Sequence, residues 1–138
     1  MAKNLPGRLF GKTSAITMFF LPKVKSDKVV AFIKGVPEQP MCGFSKLVVQ
    51  ILDMHGVKFT SFDVLENDSL RRNMKLYSNW PTFPQVFIDG KLVGGADIML
   101  EMHKNKELVQ LLEKVGIKSA YSNEEGHLTN MDQVSIDS

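Results

Sequence analysis

Val29-Val30-Ala31-Phe32-Ile33, then Lys34-Gly35-Val36-Pro37-Glu38-Gln39-Pro40-Met41, then Cys42-Gly43-Phe44-Ser45 is the stretch whose reading decides the fold. The first five residues are apolar, and no polar residue alternates with them. That pattern predicts a central strand covered on both faces. Gly35, Pro37 and Pro40 break it. From Gly43 to His55, the residues Phe44, Leu47, Val48, Ile51 and Leu52 recur at three-and-four spacing and make one apolar helix face, with Gly56 as the stop. A buried strand, a Pro/Gly loop and a cysteine at a helix start therefore follow one another directly.

Working outward, Val57 to Val64 reads as a second strand with Phe59 and Phe62 as core candidates. Asn67 to Tyr77 reads as a helix with Leu70, Met74 and Tyr77 on one face, and Pro81 bars any continuation. Pro84 to Ile88 is a strand, Asp89-Gly90 a two-residue hairpin signal, and Lys91 to Val93 the returning strand. Gly94-Gly95 closes it, and Asp97 is placed to cap a helix through Met102 or beyond. Lys106 to Val115 carries the apolar set Leu108, Leu111, Leu112 and Val115, and Gly116-Ile117 fits a helix end with a left-handed glycine. Two strands joined through a helix, then a hairpin, predict an α/β protein of thioredoxin-like arrangement: a four-stranded mixed sheet flanked by helices.

The 138 residues suit one domain. A formal charge of +2 gives no case for nucleic acid, and no apolar run approaches the roughly 20 residues that span a membrane. Residues 1–20 form a basic leader: the first 26 residues hold Lys3, Arg8, Lys12, Lys23 and Lys25 and no acid. That composition suits an organellar transit peptide, with a basic leader that stays attached as the rival. Residues 21–118 make the domain, and 119–138 are expected to be a polar, solvated tail.

The single cysteine, Cys42, excludes an intramolecular disulfide and any four-cysteine metal site within one chain. A thiol in the first turn of a helix faces unsatisfied backbone N–H groups, and Lys34 can add a positive charge; both favour the thiolate. The bland alternative is a small buried hydrophobe. Ser45 stands where a dithiol motif would carry its resolving cysteine, and a hydroxyl cannot resolve a mixed disulfide. The chain must then use an external thiol, or hold something other than a disulfide. One thiolate is too few for a [2Fe–2S] cluster, but two protomers and two small thiols supply four ligands. Phe44 is expected to bury its ring beneath the helix start. Open N–H groups at Gly94-Gly95-Ala96-Asp97 suit a carboxylate, with a plain turn as the alternative. Arg71 and Lys75, one turn apart, could reach a ligand carboxylate or be a solvated face. Met99 and Met102 read as helix packing, His103 as surface, and His55 and His127 form no metal constellation.

The chain resembles the monothiol glutaredoxins of the CGFS class. The matching stretches are Phe32-Ile33-Lys34-Gly35, Pro37-Glu38-Gln39-Pro40, Cys42-Gly43-Phe44-Ser45, Ser78-Asn79-Trp80-Pro81-Thr82-Phe83-Pro84-Gln85-Val86 and Gly94-Gly95-Ala96-Asp97. The resemblance spans residues 24–120. It implies a thioredoxin fold, glutathione binding and a [2Fe–2S] cluster bridged between two protomers. It further implies transfer to apo-proteins in mitochondrial iron–sulfur assembly, often beside a BolA-type protein. Carried onto this chain, Cys42 is the cluster ligand and glutathione partner. Lys34, and more loosely Arg71, meet the glycyl carboxylate. Thr82 and Phe83, beside a cis Pro84, pair with the cysteinyl backbone. Gly95, Ala96 and Asp97 hold the γ-glutamyl end. Family members usually carry a cysteine where this chain has Ala96, so a second thiol is missing from the site. The alternative function is glutathione-dependent thiol–disulfide exchange, with deglutathionylation as the enzymatic step and weak activity expected.

Overall fold

The computed structural model describes residues 18–122. The leader before residue 18, the tail after 122 and His127 lie outside the described residues. In chain order the elements are α1 (18–24), β1 (Val29–Ile33), β2 (Gly35–Val36), β3 (Gln39–Pro40), α2 (Gly43–Met54) and β4 (Thr60–Asp63). Then come α3 (Asp68–Ser78), β5 (Gln85–Ile88), β6 (Lys91–Gly94), α4 (Ala96–Lys104) and α5 (Glu107–Lys114). No helix among the described residues is long and apolar enough to cross a membrane.

The main sheet has the order β4-β1-β5-β6, with β1 parallel to β4 and antiparallel to β5. Every residue of β1 is buried, as its unbroken apolar run predicts. Because strand side chains alternate, Val29, Ala31 and Ile33 enter one core, while Val30 and Phe32 enter the other. The first core packs α2, α4 and α5 on the sheet through Ile51, Leu52, Met99, Leu108 and Leu112. The second holds Phe20 and Val24 of α1 and Met74 of α3 against Phe32 and Phe87. Met99 is buried and Met102 packs partly buried on the first core.

Several local expectations hold with their mechanism. Asn67 caps α3 by accepting from the Leu70 N–H at 3.0 Å. Asp89 and Gly90 both take positive φ, as a two-residue hairpin requires. Gly116 is left-handed and the Ile117 N–H donates back to Leu112 O.

Other expectations need correction. The second strand is shorter than 57–64. Gly56 is left-handed and the Val57 N–H turns back to Leu52 O, so the residues after α2 finish the helix before the strand begins. The stretch after Lys34 is no plain loop: Gly35–Val36 pairs with Gln39–Pro40 as a small ribbon. α3 stops before Pro81 because Asn79 adopts a left-handed C-cap. Asp97 is not the cap of α4; Gly95 is, with no side-chain cap bond, and Asp97 sits in the first turn, where a carboxylate suits the helix dipole. His103 is buried, not surface. Packing also continues past residue 118, since Ser119 and Tyr121 are buried against His55 and His103.

Candidate functional site

Cys42 is the N-cap of α2 in extended conformation, placed by the ribbon that turns β1 back toward the helix. The ribbon needs Gly35: φ is +94°, and a Cβ there would lie 2.6 Å from Gln39 O. The Cys42 sulfur is partly exposed and accepts from the Ser45 N–H at 3.4 Å. The Ser45 hydroxyl lies 3.4 Å from Sγ. Ser45 Oγ also accepts the Lys34 N–H at 3.0 Å, which leaves its own proton free to point at the sulfur. Burial pushes the Cys42 thiol up. The Ser45 hydroxyl, the N–H groups of Ser45 and Phe44, and the Lys34 charge outweigh it and bring the thiol below its ordinary value. Ser45, fully buried, is thus part of the site rather than a vacant place in a dithiol motif.

A groove of about 460 Å³ reaches the first turn of α2 at Phe44, two residues past Cys42. Lys34, Arg71, Thr82, Phe83, Pro84, Gly95, Ala96 and Asp97 all line it, while Cys42 itself is not among the lining residues. The Phe83–Pro84 bond is cis. Lys75 also lines the groove, so three cationic side chains, Lys34, Arg71 and Lys75, share its wall. Arg71 is paired with Asp68, whose carboxyl is held below the usual range first by the Arg71 hydrogen bond. Asp97 is the carboxylate of the lining, and Trp80, Phe83 and Ile98 give apolar walls. The arrangement suits an extended ligand with a carboxylate at one end and an ammonium at the other.

Phe44 departs from expectation. Its side chain is 62% exposed and stands at the groove rim, because the positions facing the sheet are taken by Ser45 and Val48. Met41 is 61% exposed, so Cys42 is flanked by two apolar side chains that solvent does not favour.

The sequence reading missed Gln85 as a site residue. It is fully buried, and its amide N–H groups donate to Trp80 O and Thr82 O, both at 3.1 Å. It therefore pins the loop that walls the groove. The signal available was a polar residue inside a strand that otherwise reads as apolar. Gly95 is held to glycine by close approach, since a Cβ there would lie 3.1 Å from Pro84 O. Among the described residues, no cluster of three or more His, Cys, Asp or Glu could hold a metal ion.

A family model described as Glutaredoxin matches residues 29–93. Over 103 residues the chain is 56% identical to "Glutaredoxin-related protein 5, mitochondrial" of Danio rerio, covering 74% of this chain and 66% of that protein. It is 50% identical over 95 residues to "Probable monothiol glutaredoxin 2" of Rickettsia typhi, covering 69% of this chain and 86% of that one. Among solved structures, a monomeric truncated mutant of Trypanosoma brucei 1-C-Grx1 is 44% identical with a TM-score of 0.66, over 71% of this chain and 89% of that one. The matched stretch thus spans about two thirds of the Danio rerio protein and most of the other two.

Proposed function

The chain belongs to the monothiol, CGFS-class glutaredoxins, and on that premise we propose that it carries [2Fe–2S] clusters. Two protomers and two glutathiones would hold the cargo between them and pass it to apo-proteins. The observation that carries this reading is a lone, activated thiol near a groove lined by three cationic side chains and one carboxylate.

Glutathione has carboxylates at both ends and one ammonium. Lys34, Arg71 and Lys75 would take the glycyl carboxylate. The backbone of Thr82 and Phe83 would pair with the cysteinyl residue. N–H groups at the start of α4 would meet the γ-glutamyl carboxylate, and Asp97 its ammonium. A [2Fe–2S] cargo takes four ligands, and each protomer offers one cysteine. One thiolate borrowed from glutathione on each side completes the set. Room exists beside the sulfur, since a Cβ at Gly43 would meet nothing within 4 Å. The positive end of α2 offsets the negative charge gathered on thiolates and sulfides. Release follows by exchange, each recipient thiolate replacing one glutathione or Cys42 thiolate.

The exposed Met41 and Phe44 offer apolar surface where the second protomer, a BolA-type protein or a recipient would meet the cargo. The acid-free basic stretch at 1–26 and the name of the Danio rerio relative support a mitochondrial location.

The lowered thiol pKa also supports a second reading, thiol–disulfide exchange. Cys42 thiolate would attack the glutathione sulfur of a mixed disulfide and expel the substrate thiolate. A second glutathione would then attack the Cys42–glutathione bond, releasing glutathione disulfide and restoring the thiolate.

Anaerobic reconstitution with iron, sulfide and glutathione tests the reading. Two irons and two glutathiones per protein dimer, lost in Cys42→Ala, are expected. A folded, colourless monomer that still deglutathionylates a mixed disulfide would overturn the carrier and leave the exchange enzyme.

A further inference from the structure

α2 and α4 share an unusual relation. Both begin at the groove: Phe44 in the first turn of α2, which Cys42 caps, and Gly95, the N-cap of α4, line it. Both end in a histidine: His55 is the C-cap of α2, and His103 lies in the last turn of α4. The rings meet with His55 Nε2 2.9 Å from His103 Nδ1, so one ring donates its N–H to the other. The segment after α5 closes over them. Ser119 Oγ lies 2.8 Å from His55 Nδ1, and the Ala120 N–H donates to His55 O at 2.8 Å. The Tyr121 ring stands 4.7 Å and 5.7 Å from the two imidazoles. His55, His103, Ser119 and Tyr121 are all buried, and all lie outside or on the far side of the groove.

We infer that the His55–His103 contact, closed by Ser119–Tyr121, is a positioning clamp that sets how the starts of α2 and α4 stand across the glutathione groove. The clamp rests on the function proposed above. An apolar pair would fill this space with no imidazole nitrogens to satisfy. The polar pair adds directionality: its donor–acceptor geometry fixes one angle between the helix ends, where apolar packing tolerates several. A helix of 12 residues is roughly 18 Å long, so a tilt of about 3° at its far end moves its start by about 1 Å. Displacement of that size matters to a ligand held between Cys42 and Gly95–Asp97. His103, Ser119 and Tyr121 lie outside the residues 29–93 that match the family model.

Ser119→Ala and His55→Phe test the clamp in the full chain, with His55→Gln as the conservative replacement that keeps an amide donor and acceptor. The readouts are glutathione affinity by calorimetry and the amide shifts of Gly95, Ala96 and Asp97 in ligand-free protein. Ser119→Ala and His55→Phe are expected to weaken glutathione about 3- to 10-fold and to move those amides, and His55→Gln to restore both. Amide changes confined to the surroundings of His55 and His103, with affinity within about 2-fold of wild type, would overturn the clamp. If His55→Phe does not fold, Ser119→Ala decides alone. If the unaltered protein does not bind glutathione, the proposed function fails, and the amide shifts still judge the clamp.

Discussion

Acid should weaken this protein through one residue in particular. His55 is 2% exposed, and burial first, then the neighbouring His103, push its pKa from 6.5 down to about 4. The unfolded chain therefore binds a proton between pH 6.5 and about 4 that the folded chain refuses, so stability falls as pH drops through that window. At ~1.36 kcal/mol per pKa unit, the whole window is worth about 3 kcal/mol, and the stretch from pH 6.5 to 5 about 2 kcal/mol. With a urea slope of about 1–2 kcal/mol/M, wild type should lose about 1–2 M of unfolding midpoint between pH 6.5 and 5 from this source. Carboxylates titrate at the acid end too, so the comparison must be with His55→Gln, which keeps a polar group but cannot titrate. Urea unfolding read by Trp80 fluorescence at pH 7, 6, 5 and 4.5 gives both curves. The variant should start less stable at pH 7 and close most of the gap by pH 4.5. If the two midpoints fall in parallel from pH 6.5 to 5, the refused proton is not on His55 and the argument fails.

Ser45→Ala should raise the Cys42 thiol pKa, because it removes the hydroxyl whose contact with the sulfur lowers it, and should leave the part-buried Lys34 N–H without its acceptor. Slower alkylation by iodoacetamide at pH 7 and a stability loss of about 1–3 kcal/mol are the checks; an unchanged alkylation rate would show that the backbone N–H groups suffice. Gln85→Leu should lose the two bonds that pin Trp80 and Thr82, costing about 1–3 kcal/mol and weakening glutathione severalfold. Denaturation with and without glutathione separates the two effects. Gly35→Ala meets both a left-handed φ and a backbone oxygen at 2.6 Å, so a loss above about 2 kcal/mol in chemical unfolding is expected. A loss of a few tenths would mean that the ribbon shifts freely.

Much of the sheet and groove could be read before any coordinates. β1 declared itself because a strand buried on both faces cannot alternate, and the Asp89-Gly90 turn because few residue pairs take positive φ twice. Lys34, Arg71 and the turn at Gly94-Gly95-Ala96-Asp97 were legible singly from residue chemistry, but Thr82 and Phe83, and the meeting of all of them in one groove, only through resemblance. Lys34, Arg71, Thr82 and Asp97 lie far apart along the chain, and no local period brings them together. What was misread depends on tertiary context. His103 carries a polar side chain on a helix end, yet it is buried where His55 of the α2 end and Tyr121 pack against it. Phe44 follows the apolar spacing of α2, yet the buried positions at the start of that helix are Ser45 and Val48, and Phe44 lines the groove instead.

The one-thiol character of the site is built in by packing as well as by composition. At the two positions where a second thiol would be sought, Ser45 is fully buried and Ala96 is 6% exposed. Ser45 bridges the end of β1 to the sulfur, and Ala96 lies in the first turn of α4 against the groove. Both places are thus occupied by groups that serve the site in other ways. Cys42, partly exposed, can complete a disulfide or a metal coordination shell only with sulfur from outside the chain. Each event at the thiol is then intermolecular, and its equilibrium depends on the concentration of the second thiol, not on an internal loop closure. A dithiol protein resolves its own intermediates. This one must wait for a thiol from outside, and that dependence suits the proposed role, in which the cargo has to remain exchangeable.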